Sequence, residues 1–359
     1  MPTDVVRLLG IAVARKASDI HLSANRPPIL RIDGELVDLA EWPPLGSEAC
    51  KTMVYSFLGD QQRARLEEAL ELDCSFSVPG LGRFRANVLY QRGNVECALR
   101  AVPSVIPTPE FLGLGPSAMS LAGLPRGLVL VTGPTGSGKS TTLACLIDNI
   151  NATSRRHILT IEDPIEFIYP RRLALIRQRE VGSDTKSFDE ALRHALREDP
   201  DVILLGEMRD RESISLALTA AETGHLCLST LHTLGAAQSL DRIIDVFPSD
   251  QQAQVRVQLA GALKGVISQI LLPRREGLGR IAARELMIVN SAVASLIREN
   301  KTHLLRTTIE TSGNLGMFTL DRSLAALVRR GVVALDEALA RAQDPEALAA
   351  ACRKTGVLV

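Results

Sequence analysis

The stretch Gly127-Leu-Val-Leu-Val-Thr-Gly-Pro-Thr-Gly-Ser-Gly-Lys-Ser-Thr-Thr142 predicts a phosphate-binding loop between a strand and a helix. Its apolar start, Leu128 to Val131, is typical of a buried parallel strand. After the loop, apolar residues recur at helical spacing as far as Ile150, which places the positive end of a helix against the loop. A glycine-rich turn without a ligand is the alternative. Because strand, loop and helix signals occur together in the required order, we expect a nucleoside triphosphate site.

Each position of this loop has a predicted task. The glycines let the backbone curl so that its N–H groups converge on an anion. Lys139 would place a positive charge near the β- and γ-phosphates, and the Ser140 hydroxyl would ligate Mg²⁺. The residues expected to bind ATP are Gly133, Pro134, Thr135, Gly136, Ser137, Gly138, Lys139, Ser140 and Thr141.

Length and composition narrow the class of protein. A chain of 359 residues with 46% apolar residues is sufficient for about two domains with sizeable cores. Its net charge of zero supplies no general attraction for nucleic acid. No apolar stretch reaches transmembrane length and no leader pattern is present, so we expect a cytosolic protein without an integral membrane segment. The six cysteines include no Cys-x-x-Cys pair, which argues against a zinc ribbon.

The first 102 residues predict a small α+β domain. Helical periodicity covers residues 3–17 and 47–70, and an Asp33-Gly34 turn predicts a hairpin. Three further strand-like runs follow, at 72–78, 83–90 and 95–102. Prolines and glycines then mark a linker at 103–120.

From 121 to 359 the pattern changes to an α/β domain. Apolar runs alternate with helices, which predicts a parallel sheet with crossover helices. The segment 251–272, without proline, is predicted to form one long helix, and short C-terminal helices follow it. The expected strands are 128–131, 158–161, 202–205 and 226–228.

Two acidic motifs follow predicted strands. Glu207 ends the run Asp201-Val-Ile-Leu-Leu-Gly-Glu and should point into the nucleotide crevice, where it would orient the attacking water or hold Mg²⁺ through a water. The second motif follows the run at 158–161 and contains Glu162, Asp163 and Glu166. Pro164 ends that strand. Carboxylates at adjoining strand ends favour a divalent cation. The alternative for both motifs is a solvated polar loop.

Two histidines flank another predicted strand, His225 before it and His232 after it. Either could donate to a γ-phosphate, and a hydrogen-bonded core histidine is an equal alternative.

Three arginines of the small domain form a candidate second contact with the triphosphate. Arg83 and Arg85 share one face of a strand because they flank Phe84, and Arg92 lies beyond Tyr90. If the domains meet across a subunit boundary, these arginines could reach a neighbour's nucleotide. Taken alone, the sequence favours the commoner role, a solvated or salt-bridged surface.

Several stretches together resemble the hexameric secretion ATPases, and most closely the retraction ATPases of type IV pili, the PilT family. The resemblance covers residues 3–345. It rests on the phosphate loop and on Ala17-Ser-Asp-Ile-His-Leu22, Arg31-Ile-Asp-Gly-Glu35, Gly82-Arg-Phe-Arg-Ala-Asn87, Leu159-Thr-Ile-Glu-Asp-Pro-Ile-Glu-Phe167, Glu207-Met-Arg-Asp210, Thr219-Ala-Ala-Glu-Thr-Gly-His-Leu226 and Thr230-Leu-His-Thr233.

The resemblance implies a PAS-like N-terminal domain followed by a RecA-like ATPase domain, assembled as a homohexamer. It implies catalysis by Glu207 with Lys139, an acidic box with Glu162 and Glu166, and γ-phosphate sensing by His225 and His232. It also implies that ATP is bound by Arg83, Arg85 and Arg92. Mg²⁺ would be held by Ser140 and, through water, by Glu207 and Glu162. The implied partner is a platform protein of the pilus base at the inner face of the cytoplasmic membrane.

Departures from the family leave other functions open. Extension motors generally carry a further N-terminal domain and a tetracysteine insert, and this chain has neither. The C-terminal box reads Ala292-Val-Ala-Ser-Leu-Ile-Arg-Glu299, where retraction motors have Arg-Asn in place of Ala294-Ser295. The altered C-terminal box leaves an accessory ATPase as one alternative, and an extension ATPase is kept as another, although such motors generally carry that domain and insert. A RecA-like nucleic-acid translocase, a small-molecule kinase and a regulatory ATP-binding module are others.

Overall fold

The chain is described by a computed structural model that covers residues 3–32, 34–103, 105–277 and 279–353. It divides into two compact units. The first contains residues up to Val105 together with Pro164–Ile168, and the second contains Ile106–Asp163 and the chain from Tyr169 onwards. The predicted turn at Asp33-Gly34 includes Asp33, which lies outside the described residues.

The first unit is built on a six-stranded antiparallel sheet in the order β3-β2-β1-β6-β5-β4. Its core includes Leu30, Phe84 and Leu99, which are buried because apolar side chains alternate along the strands, together with Leu8 from the N-terminal helix. Its strands are β1 (Asp19–Leu22), β2 (Ile29–Ile32), β3 (Glu35–Asp38), β4 (Glu71–Val78), β5 (Gly82–Gln91) and β6 (Asn94–Ala101), and its helices are α1 (Thr3–Ala14), α2 (Ser47–Tyr55) and α3 (Asp60–Ala69).

The second unit contains a seven-stranded sheet in the order β13-β12-β7-β11-β10-β8-β9. All neighbours in it are parallel except β12 and β13, which form an antiparallel hairpin. Strands β7, β10 and β11 are buried at every position, as expected of strands covered on both faces. The strands are β7 (Gly127–Thr132), β8 (His157–Glu162), β9 (Leu175–Glu180), β10 (Val202–Leu205), β11 (Leu226–Leu231), β12 (Leu263–Pro273) and β13 (Arg280–Ile288).

The helices of the second unit lie between these strands and after them. They are α4 (Pro109–Leu112), α5 (Pro116–Met119), α6 (Lys139–Thr153), α7 (Phe188–Ala195), α8 (Arg211–Glu222), α9 (Ala236–Asp245), α10 (Ser249–Ala262), α11 (Ser291–Arg298), α12 (Leu305–Thr311), α13 (Leu320–Arg329), α14 (Leu335–Leu339) and α15 (Pro345–Arg353). Three short 3₁₀ segments accompany them, at Ser120–Gly123, Thr302–Leu304 and Gly313–Leu315.

The segment predicted as one helix over 251–272 has a different structure. The helix α10 ends at Ala262, and residues from Leu263 form β12, which lies between β7 and β13. Val266 and Ile267 are β-branched and buried, and a mostly apolar segment of this kind suits a strand as well as a helix. The helical prediction for residues 263–272 is therefore wrong.

The segment 103–120, which the sequence analysis assigns to a linker, contains ordered elements from Pro109 onwards. Thr108 accepts a hydrogen bond from the Phe111 N–H and caps α4, and Pro109 and Pro116 each begin a short helix. Leu114, Ala118 and Leu121 pack in the core beside α6. Residues from Ile106 thus belong to the second unit.

All of the cysteines except Cys74 are buried. Among the described residues, no helix combines the length and apolar character that crossing a bilayer requires.

Candidate functional site

The parallel strands of the second unit bring the predicted catalytic loops to one edge of the sheet. The phosphate loop follows β7, Glu207 follows β10, and His232 follows β11. Glu162 is the last residue of β8. Because these strands run in the same direction, their carboxyl ends meet at the same edge, where open α/β sheets bind ligands.

The phosphate loop encloses the side chain of Lys139. Its ammonium donates hydrogen bonds to the carbonyl oxygens of Gly133, at 2.9 Å, and Pro134, at 3.1 Å. Burial lowers the pKa of Lys139 from its ordinary value, while the negative charge of Glu207 acts in the opposite direction. The charge of this lysine is thus held at the loop by neutral oxygens and by one nearby carboxylate.

The helix α6 begins at Lys139, so its free N–H groups face the loop. Gly133 has a φ of 143°, and a Cβ built there would lie 2.1 Å from the carbonyl oxygen of Gln269 on β12. Only glycine fits this position, since the loop packs directly on the neighbouring strand.

Glu207 and His232 lie close together at the mouth of the site. His232 Nε2 is 3.4 Å from Glu207 Oε1, and His232 Nδ1 is 3.4 Å from Thr135 Oγ1 in the phosphate loop. Arg209 Nε is 2.9 Å from Glu207 Oε2. The structure thus brings together Lys139, Glu207 and His232, as the sequence predicts, and adds Arg209 as a partner of the carboxylate.

Glu162 lies at the predicted strand end, but its carboxylate is buried. Its Oε1 accepts hydrogen bonds from Thr160 Oγ1 at 2.7 Å and Gln178 Nε2 at 3.3 Å, both within the sheet. These contacts hold the side chain against β9 rather than in the open crevice.

Glu166 belongs to the first unit, so the two glutamates of the predicted acidic box are divided between the units. Its Oε1 lies 2.8 Å from Nη1 of Arg85 on β5. Pro164 begins the short segment Pro164–Ile168 that belongs to the first unit, and a proline favours extended backbone in the residue before it.

The predicted arginines lie on or beside β5. Arg83 donates to Ser75 Oγ and Arg85 pairs with Glu166, while Phe84 between them is buried, as the predicted alternation requires. Arg92 occupies the turn after β5, with a φ of 49°.

Sequence reasoning missed a further arginine of the first unit, Arg100 on β6. Cross-strand pairing aligns five residues across the sheet: Arg31, Asp19, Arg100, Arg85 and Ser75. Arg100 Nη2 lies 2.7 Å from Asp19 Oδ1. The signal that identifies Arg100 is its position between Leu99 and Ala101, which gives it the face opposite the core.

His225 does not lie with the phosphate loop in its own chain. It precedes β11, and its carbonyl oxygen accepts a hydrogen bond from the N–H of Gly127, the first residue of β7. The six residues of β11 therefore separate it from His232, a length of about 20 Å. His225 is half-buried, and its Nδ1 lies 3.0 Å from the Ala220 carbonyl oxygen in the last turn of α8.

A cavity of about 590 Å³ opens beside the phosphate loop. Its size is that of a small-ligand site. Leu234 and Ile270 line it with apolar surface, and Arg280 and Arg341 add positive charge. The loop residues Pro134–Ser137 form one wall. No local sequence pattern predicts this cavity, because residues from six separate stretches of the second unit line it.

The donor set at the loop suits a cation that takes most of its ligands from water and phosphate. The Ser140 hydroxyl is exposed beside Lys139, and the Glu207 carboxylate is half-exposed. No group of three or more His, Cys, Asp or Glu side chains within the described ranges has metal-binding geometry. One hydroxyl and one carboxylate fit Mg²⁺, which keeps several waters and is held through few protein groups.

Comparison with known proteins shows which family the chain belongs to. The family of type II/IV secretion system proteins matches residues 3–340. The chain belongs to this family. Two known proteins are similar to the chain over nearly its whole length. PilT, a type IV pilus retraction ATPase of Pseudomonas aeruginosa, is 50% identical over 96% of this chain and 99% of its own length. A twitching motility protein of Neisseria gonorrhoeae is 48% identical over 96% of this chain and 92% of its own length.

A solved structure extends the family likeness to three dimensions. The crystal structure of the pilus retraction motor PilT with bound ADP has a TM-score of 0.91 and 48% sequence identity, and covers 96% of this chain and 98% of that one. These comparisons confirm the family and the fold class predicted from the sequence, and with them an ATPase of the pilus-retraction type.

Proposed function

We propose that this protein is an ATP-hydrolysing motor that drives retraction of type IV pili, and with it twitching motility and DNA uptake. The observation that carries the proposal is the convergence of Lys139, Glu207 and His232 at the carboxyl edge of one sheet. The chain that contains them spans 99% of a relative named as a pilus retraction ATPase.

The residues at this edge have separate roles in ATP hydrolysis. The loop N–H groups and Lys139 hold the β- and γ-phosphates and offset the charge that develops on them. Glu207 orients and deprotonates the attacking water. Its carboxylate is half-exposed, and its negative charge interacts with the ammonium of Lys139. His232 holds Glu207 and Thr135 in register and senses the γ-phosphate.

Mg²⁺ would be held by the Ser140 hydroxyl and, through water, by Glu207. When bound, the ion neutralises charge on the phosphate oxygens. Glu162 is a weaker candidate for this role, because its carboxylate accepts hydrogen bonds from Thr160 and Gln178.

The nucleoside would occupy the cavity beside the loop. Leu234 and Ile270 offer apolar surface to a base, and Arg280 offers positive charge to the ribose and phosphates. This assignment keeps the nucleotide continuous with the phosphate loop, which forms one wall of the same cavity.

We propose that the protein works as a homohexamer in which Arg83, Arg85 and Arg92 of the PAS-like domain contact the nucleotide of a neighbouring subunit. Arg100 joins this set because it stands beside Arg85 on the sheet. In this proposal the first unit is the PAS-like domain, and the second unit, which begins at Ile106, is the RecA-like domain. ATP hydrolysis would turn a platform protein at the cytoplasmic face of the inner membrane.

Mixed assemblies test the contribution between subunits. Lys139→Ala and Arg85→Ala/Arg100→Ala subunits should each be inactive. When they are mixed, some interfaces combine an intact phosphate loop with intact arginines, so hydrolysis should partly return. If the arginines act within their own subunit, mixing restores nothing.

The proposed function itself is tested by Lys139→Ala. We expect loss of ATP turnover by a factor of about 10²–10³, with Lys301→Ala as the control, because Lys301 is a surface lysine paired with Glu299. In cells, Lys139→Ala should leave pili present and twitching absent. Loss of the pili would instead indicate an extension motor, and hydrolysis that requires single-stranded DNA would indicate a translocase.

A further inference from the structure

The hairpin of β12 and β13 contains four buried polar residues inside otherwise apolar strands. Ser268 pairs with Glu285, and Gln269 pairs with Arg284. Each of the four is less than one-tenth exposed. Buried polar side chains are retained where hydrogen bonds compensate for their lost hydration. Each of the four should therefore have a defined hydrogen-bond partner.

Gln269 connects the hairpin to the phosphate loop at both of its ends. Its Nε2 donates to the Ser137 carbonyl at 2.7 Å. Its Oε1 accepts from Thr142 Oγ1, in the first turn of α6, at 2.8 Å. Its backbone carbonyl lies against Gly133. One amide side chain therefore holds the loop before and after Lys139.

Arg284 supports Gln269 from the other side. Its Nε lies 3.4 Å from Gln269 Oε1, and its Nη1 donates to the Leu112 carbonyl, at the end of α4, at 2.7 Å. Among the described residues, no carboxylate pairs with it. Burial lowers the pKa of Arg284 to about 10, so the guanidinium still carries its charge at neutral pH.

We propose that Gln269 and Arg284 are positioning residues that hold the phosphate loop in its nucleotide-binding shape and tie it to the α4 segment. The proposal rests on the proposed function, because it assigns these residues to the same ATP site. Neither side chain is assigned a contact with the nucleotide; both act through the Ser137 carbonyl and the first turn of α6.

The hydrogen bond to Leu112 links Arg284 and Gln269 to the segment at the start of the second unit. The second unit begins at Ile106, and Leu112 follows within the same short segment. A displacement of this segment would move the Leu112 carbonyl, and through Arg284 and Gln269 it would change the shape of the loop. The link thus provides a route by which the chain that enters the ATPase domain can alter nucleotide affinity.

The guanidinium is suited to this role because its planar fork reaches two acceptors in fixed directions. A lysine has a single ammonium group, so Arg284→Lys cannot maintain both contacts. A buried ammonium also loses its proton more readily than a guanidinium. The substitution should therefore make nucleotide binding more sensitive to pH than it is in the wild-type protein.

The test compares Arg284→Lys with wild type by steady-state ATP hydrolysis and by binding of ADP, from pH 6.5 to 9.5. We expect the KM for ATP and the Kd for ADP to rise about tenfold, the value of one lost hydrogen bond, and to rise further with pH. Arg156→Lys is the matched control. Arg156 also donates to a backbone carbonyl, that of Leu124, but it precedes β8 at the opposite edge of the sheet.

Thr142→Val provides a second variant that changes no charge and little volume. It removes the hydroxyl that donates to Gln269, and should raise the KM for ATP several-fold with thermal stability near wild type. Arg284→Lys and Thr142→Val proteins that both keep wild-type KM and Kd across the pH range would overturn the inference. A wild-type protein that neither binds ADP nor hydrolyses ATP would instead overturn the proposed function.

Discussion

His232 Nε2 lies 3.4 Å from Glu207 Oε1, and the other nitrogen of the same ring lies 3.4 Å from Thr135 in the phosphate loop. One imidazole therefore spans the ends of two strands and the loop. A neutral ring can satisfy both contacts, since one nitrogen donates to the carboxylate and the other accepts from the hydroxyl. Any change at His232 should alter the position of Glu207 as well.

The two histidines are predicted to behave differently. His232→Ala should lower kcat by about tenfold or more, because Glu207 loses the group that orients it. His225→Ala should instead lower thermal stability, since His225 Nδ1 contacts the Ala220 carbonyl at the far edge of the sheet. ATP turnover and thermal unfolding of both variants check this. A large fall in kcat for His225→Ala with unchanged stability would show that His225 acts on a neighbouring subunit's nucleotide.

Glu207→Gln should separate nucleotide binding from hydrolysis. The amide keeps the size of the side chain and removes the base, so we expect kcat to fall by about 10²–10³ while ADP still binds. Measurement of phosphate release and of ADP affinity on the same preparation checks this. The control is Glu299→Gln, a surface carboxylate paired with Lys301. Undiminished phosphate release by Glu207→Gln would remove this residue from the proposed mechanism.

Two glycines of the phosphate loop should differ in their tolerance of alanine. Gly133→Ala should cost at least about 3 kcal/mol, because a strained backbone conformation adds to a clash with the Gln269 carbonyl. Gly136→Ala has the backbone cost alone, about 1–2 kcal/mol, since a Cβ there has nothing within 4 Å. Chemical denaturation of the two variants measures the difference. Equal costs would contradict the close packing of the loop on β12.

Glu285 predicts a pH dependence of stability. Burial raises the pKa of this carboxyl, although hydrogen bonds from the backbone of Ala236 and Leu320 oppose the shift. A folded-state pKa above the unfolded value means that the unfolded chain releases the proton first. Stability is therefore lost as pH rises from the ordinary carboxyl range through the folded-state pKa.

Glu285→Gln removes this ionisation and keeps an oxygen for the Ala236 N–H, which Glu285 Oε1 accepts at 2.8 Å. The free energy of unfolding of the variant should fall less between pH 4.5 and pH 8 than that of wild type. Denaturant titrations at several pH values check this. Glu337→Gln, on the surface beside Arg341, is the control. Parallel pH profiles of Glu285→Gln and wild type would contradict the prediction.

The phosphate loop, its strand and its helix could be predicted because their signals are local. The loop needs glycines, a lysine and a hydroxyl at fixed spacing, and the neighbouring apolar runs have the correct lengths. The strand ends that carry Glu207 and His232 were predictable for the same reason.

Features that depend on which elements become neighbours were not predictable. Residues 263–272 are mostly apolar and contain no proline, so their pattern suits a helix as well as a strand, and their place between β7 and β13 makes them a strand. The acids Glu162 and Glu166 are four positions apart, yet one belongs to the sheet of the second unit and the other pairs with Arg85 in the first.

The sequence by itself therefore determined the class of fold, the family and the position of the phosphate loop, because spacing along the chain sets the local geometry of a loop between strand and helix. Only the tertiary structure decided that His232 joins Glu207 while His225 does not, and that Gln269 and Arg284 support the loop. Their partners lie up to 172 residues apart in the chain, as for Arg284 and Leu112. Contacts over that separation are set by packing of the folded sheet, which no local pattern records.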